Sequence, residues 1–270
     1  MTTLSRSVGI DPGPAKGLHC FDSSGHNHVD LECSRPYLDK LAEEDSILIC
    51  WDAPLTGPSS VALRSNTLKD SELTQRPIEK FFSQSKWHFK APKGISVLPY
   101  SGCPHWTISR SLLGLPRMGP FDISDGLPFQ LCQENIFQGK GAWIVEVHPA
   151  VAMWLWTKDE ICLTSWEYKK DIRIADAILE CLLKILQDSN LHDALESAKE
   201  FRKSPNKATK GFDDILDACI AYILGELWII NDPRVMLLGD ERTGSMLVPR
   251  SSTLITQWDA FCTKTFHDNE

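Results

Sequence analysis

Short apolar runs punctuated by Asp, Pro and Gly open the chain. Ser7 to Ile10 is a β-rich run stopped by Asp11-Pro12-Gly13-Pro14. Gly17 to Phe21 is a second, ended by the turn residues Asp22-Ser23-Ser24-Gly25. His28 to Cys33 alternates well enough for a third strand. Three strands at this spacing predict an antiparallel meander. Pro36 to Glu44 reads as a helix, with Pro at its start and Leu38, Leu41 and Ala42 at helical spacing. Ser46 to Trp51 is continuously apolar, as in the buried middle of a sheet, and ends at Asp52-Ala53-Pro54.

From residue 55 to about 135 the pattern breaks up into a Pro-, Gly- and Ser-rich stretch with only short periodic segments. Gly141 to Val147 resumes as a buried strand and stops at His148-Pro149. Lys169 to Leu186 predicts an amphipathic helix, with Ile172, Ala175, Ile178, Leu179, Leu182 and Leu186 on one face. Leu191 to Arg202 predicts a shorter helix, and Phe201 to Lys210 a basic loop. Asp213 to about Ile230 is helical and apolar almost all round, so it belongs between two layers. Val235 to Leu238 and Ser245 to Val248 read as short strands. Three antiparallel strands followed by helix-linked strands predict a mixed α/β sheet. At 270 residues the length alone allows about 1.8 domains. The pattern favours one fold, residues 1–270, enlarged by an insertion at about 56–138.

Composition narrows the class. Apolar residues make up 42% and charged residues 24%, which excludes disorder, collagen and coiled coil as descriptions of the whole chain. Nine cysteines, with no C-x-x-C spacing and no zinc signature, predict free thiols in a reducing compartment. The polar N-terminus runs straight into a strand, and every long apolar stretch is broken by a charged or polar residue such as Glu146, His148, Asp217 or Glu226. The expectation is a cytoplasmic protein with no membrane partner.

The acids carry the chemistry. Asp11 ends the first strand, Asp52 ends the fourth, and Glu146 lies near the end of the next buried strand. Asp214 and Asp217 are one helical turn apart, and Asp217 sits among Leu216, Ala218, Cys219 and Ile220. A carboxylate in such company needs a partner or a metal. If the first and fourth strands are parallel neighbours, Asp11 and Asp52 converge on one sheet edge, where sites of open sheets collect. The buried helix could add Asp217. Converging carboxylates either hold their protons or hold a hard cation, and an oxygen-only set suits Mg²⁺ or Mn²⁺. Plainer roles stay open: Asp11 as a turn former, Asp213 or Asp214 as helix caps, Glu146 paired with a Lys or Arg, and His148 as a core histidine.

Seven segments then resemble one family. They are V-G-I-D-P-G at 8–13, W-D-A-P-L at 51–55, T-Q-R-P-I-E-K at 74–80 and S-G-C-P-H-W at 101–106. V-E-V-H-P-A at 145–150, F-D-D-I-L-D-A at 212–218 and G-D-E-R-T-G-S-M-L-V-P at 239–249 complete them. In this order they resemble domain of unknown function 429, a family described as predicted nucleases of ribonuclease H-like fold. The resemblance implies strand order 3-2-1-4-5 with the first three strands antiparallel. It also implies two metal ions held by acids at the positions of Asp11, Asp52 and Asp217. Asp214 with Asp217 is similar to the D-x-x-D on the last helix of Holliday-junction resolvases.

Charge placement bears on the partner. The net charge of −8 hides a split: residues 53–118 hold nine Lys or Arg against three acids, so they are +6 and the remainder −14. Lys86-Trp87-His88-Phe89-Lys90 interleaves cations with aromatics, a pattern that can grip phosphates and stack bases. Residues 199–210 add five cations against one acid. The expectation is a nucleic-acid path using Arg76, Lys80, Lys86, Trp87, Lys90, His105 and Arg110, weighed against an ordinary solvated surface. The leading expectation is a two-metal nuclease. In it Asp11, Asp52 and Asp217 are the ligands, and Asp214 and Glu146 complete the shell or move protons. Two alternatives stand beside it. One is an ATPase or kinase of the actin-like superfamily, since residues 11–17 faintly resemble its first phosphate loop. The other is a non-catalytic nucleic-acid-binding module.

Overall fold

A computed structural model of the chain describes residues 4–13, 16–55, 75–84, 89–100, 103–113, 129–132, 141–203, 211–240 and 244–267. Its main sheet holds β1 (Arg6–Gly13), β2 (Gly17–Asp22), β3 (Gly25–Val29), β4 (Ser46–Trp51), β5 (Gln130–Leu131) and β6 (Gly141–Glu146). The order is β3-β2-β1-β4-β6-β5. β1, β2 and β3 pair antiparallel, while β4 lies parallel to both β1 and β6. This is the mixed α/β, ribonuclease H-like order expected from the sequence, with the two-residue β5 added beside β6.

Several boundaries differ from the sequence reading: β1 does not stop at Ile10 but runs on through Asp11 and Pro12 to Gly13, pairing with β2. β3 spans Gly25–Val29, not His28 to Cys33, because α1 (Leu31–Ala42) begins five residues before Pro36. Ser34, Leu38 and Leu41 form its buried stripe, so packing fixes the helix and Pro36 is carried inside it. Likewise, the expected helix from Lys169 begins only at Ile172, capped by the Asp171 side chain, which accepts the Arg173 N–H. Lys169 is thereby left in the preceding loop.

Seven more helices complete the described fold. α2 (Pro77–Ser83) and α3 (Pro104–Leu113) lie in the insertion. α4 (Pro149–Thr157) follows β6 directly, and α5 (Ile172–Ile185), α6 (Ser189–Lys203) and α7 (Phe212–Ile229) come next. A hairpin of β7 (Val235–Asp240) and β8 (Gly244–Pro249) precedes α8 (Ser252–His267). α2 joins the core through Ile78, Phe81 and Phe82, and Phe81 stacks edge-on to Trp258 and Phe261 of α8. α3 is pinned to β4 by the Trp51 indole N–H, which donates to Ser109 Oγ at 2.7 Å.

The contact that positions the site is α7 across β1. Gly9 makes it possible: a Cβ there would overlap the Ala218 carbonyl oxygen and the Tyr222 amide. Only a residue without a side chain lets the two backbones approach this closely. The helix therefore runs along the strand that carries Asp11.

Candidate metal centre

Register brings the acids level. Ile10 pairs with Trp51, and Trp51 pairs with Glu146, so Asp11 and Asp52 sit one residue further along adjacent parallel strands. The Asp52 N–H donates to the Ile10 carbonyl at 2.9 Å, continuing the ladder past the end of β4. Asp217 comes from the second turn of α7, over the same edge. Asp11, Asp52 and Asp217 each offer an oxygen, and these atoms all lie within 4.8 Å of one another. Asp11 is 4% and Asp217 1% exposed; Asp52 is half-buried as a whole residue.

Such crowding costs energy unless charge is removed or balanced. Burial, and then the Asp217 charge, push the Asp11 carboxyl well above the usual carboxylate range. Burial, then Asp11 and Asp217, do the same to Asp52. Two neighbours hold Asp217. The Tyr168 hydroxyl donates to its Oδ1 at 2.7 Å, and the Lys169 ammonium lies 2.6 Å from its Oδ2. Asp217 in turn holds Lys169 well above the usual lysine range. One ammonium faces three carboxylates, all of the donor atoms are oxygen, and the group can hold a metal ion.

Glu146 takes the plainer of the roles left open for it, as the partner of an arginine. The Arg76 guanidinium donates to both its oxygens, at 2.7 and 2.7 Å, and Glu146 Oε2 also accepts the Leu55 N–H at 2.8 Å. Arg76 also bonds Glu79 at 2.7 Å. All three residues are 1–2% exposed. Arg76 is therefore not a surface cation for phosphate. It is the buried counter-charge that ties the insertion to β6, and Glu146 is its partner, outside the group of three. Asp214 also stands apart, held by Lys16 at 2.6 Å and close to His19 Nε2 at 3.6 Å. The N-cap of α7 is Gly211, in the left-handed region, not Asp213, which lies in the first turn.

The other expected path residues scatter. His105 is half-buried at the site, with its pKa lowered by burial. Arg110 is half-buried on α3, Lys80 half-buried on α2, and Lys90 exposed. Lys86 and Trp87 lie outside the described residues, as do residues 204–210 of the basic loop. His148 is half-buried and lines the same cavity as the acids: its Nε2 pairs with the Ser96 carbonyl at 3.2 Å, and burial lowers its pKa to about 4.

The acids open onto a cavity of about 250 Å³. Its walls include Pro54, Val97, Leu98, Ala150 and Met246, with Lys169 and His105. Tyr168 and Lys169 were not found by sequence reasoning. The apolar periodicity of α5 extends back over Lys169 and absorbs it into the helix, which hides its reach to Asp217.

Residues 127–242 match the family model described as "Protein of unknown function (DUF429)". Over that stretch, less than half of the chain, the sequence is similar to this family. The DUF429 segment includes Glu146, Tyr168, Lys169, Asp214 and Asp217, while Asp11 and Asp52 lie before it. No curated protein and no solved structure matches the chain.

Proposed function

We propose that this protein is a metal-dependent phosphodiesterase that hydrolyses nucleic acid. One observation carries the reading: Asp11, Asp52 and Asp217, from two adjacent parallel strands and a crossing helix, present oxygens within 4.8 Å of one another. Oxygen-only donors select a hard cation, and Asp11, Asp52 and Asp217 would hold Mg²⁺ or Mn²⁺. A pair of such ions, when bound, supplies an activated water and charge stabilisation for the leaving oxygen of a phosphodiester.

The chain's own residues orient this centre. Tyr168 fixes the Asp217 carboxylate by its hydroxyl. Arg76 and Glu146 hold the Leu55 amide, and with it the turn that carries Asp52. Lys169 keeps a positive charge beside the acids and offsets part of their repulsion toward an incoming phosphate. The nine free cysteines support a reducing, cytoplasmic setting. Among the described residues no helix is long and apolar enough to cross a membrane.

Asp217→Asn tests the reading. The amide keeps the Tyr168 hydrogen bond but removes a ligand charge. In Mn²⁺, hydrolysis of a mixed single-stranded and duplex substrate panel should fall at least about 100-fold, the scale on which loss of a catalytic group acts. Circular dichroism should stay unchanged. Undiminished cleavage by this variant would remove the proposal.

A further inference from the structure

We infer that nucleic acid reaches the carboxylates as a single strand, one unstacked nucleotide at a time entering the cavity. The inference rests on the hydrolytic reading above and names its substrate class. The first support is depth. Asp11 and Asp217 are 4% and 1% exposed, so a phosphate must descend into the protein to meet them. The cavity is small, about 250 Å³. A double helix, whose major groove alone is about 12 Å wide, cannot enter. A base swung out of its stack can.

The walls are the second support. Pro54, Val97, Leu98, Ala150 and Met246 bring apolar surface against the acidic floor. Apolar walls give a phosphate nothing, but they bury the face of a base or ribose. They also come from separate parts of the chain: Pro54 follows β4, Val97 and Leu98 belong to the insertion, Ala150 opens α4, and Met246 is on β8. The insertion therefore contributes shape to the site, where its sequence had advertised charge.

Binding can be read apart from cleavage. Fluorescence anisotropy in Ca²⁺ would compare a labelled single-stranded oligonucleotide with a blunt duplex of the same sequence. The single strand should bind about tenfold more tightly or better, the worth of one stacked base. Ala150→Phe, which fills the cavity, should abolish that preference. Leu98→Glu places a negative charge on an exposed rim residue, folds as a surface substitution, and should weaken the single strand alone. Equal or tighter duplex binding, no binding of either form, or no effect of both variants would overturn the inference. So would a mononucleotide that competes as well as the strand. Single-strand binding without cleavage in Mn²⁺ would remove the hydrolytic reading and uphold this one. Duplex cleavage would do the reverse.

Discussion

Replacing Arg76 by Met tests whether the insertion is joined to the core by charge. Arg76 is 1% exposed and its guanidinium serves two carboxylates, Glu79 and Glu146, that are 1% and 2% exposed. Methionine fills a similar volume but leaves both acids without a counter-charge. Removing one partner of a buried ion pair costs about 3–5 kcal/mol. At roughly 2–4 °C per kcal/mol for a large domain, the midpoint of thermal unfolding should fall by about 6–20 °C.

The loss should depend on pH, and its sign follows from the acids. Burial already outweighs Arg76 at Glu79 and holds its carboxyl above the usual range. Without Arg76 the Glu79 carboxyl would titrate higher still in the folded chain. A carboxyl whose folded pKa lies above its unfolded one contributes stability at low pH and loses it as pH rises. The gap between wild type and variant should therefore be widest near pH 8 and shrink toward about pH 5. Urea unfolding followed by circular dichroism at several pH values measures it. A cost under about 1 kcal/mol, or a cost constant with pH, would refute the reasoning. The triple variant Arg76→Met, Glu79→Gln, Glu146→Gln should recover most of the loss, because a buried charged triad exchanges for a neutral one at little cost.

Two further outcomes follow from the same geometry. Lys169→Met removes the ammonium 2.6 Å from Asp217, so the metal-free protein should lose about 1–3 kcal/mol. Saturating Mn²⁺ should restore the stability, and an equal loss with and without Mn²⁺ in thermal melts would show that Lys169 does not balance the acids. Gly9→Ala drives a Cβ into the α7 backbone and should cost more than the usual 1–3 kcal/mol of overpacking. A variant that melts with the wild type would mean that α7 does not rest on β1 as described.

The central strands were legible because their signals are local. β4 is a continuous apolar run ending at Asp52, and β6 stops at similarly sharp punctuation, while β1 starts as an apolar run but carries on through Asp11 and Pro12. α7 was legible because it is apolar almost all round, which made one carboxylate inside it conspicuous. α4 and α8 gave no such signal. Pro149 to Thr157 is apolar on every face, so its periodicity does not separate helix from strand. Arg76 was misread for a different reason. A sequence shows where a charge is, not how deep, and the partner that buries this one lies 70 positions away at Glu146.

That misreading bears on how an acidic site would meet nucleic acid under the proposed function. The surplus of cations in residues 53–118 suits a phosphate path as readily as a solvated surface. Yet Arg76 is spent on Glu79 and Glu146. At the acids themselves, Lys169 faces Asp217 directly from a loop outside the insertion. Where these acids are ionised they repel a phosphate, and repulsion between unit charges about 4 Å apart amounts to several kcal/mol at an effective dielectric near 20. On the proposed function, metal binding therefore precedes substrate binding, and affinity for nucleic acid should appear only when a divalent cation is present.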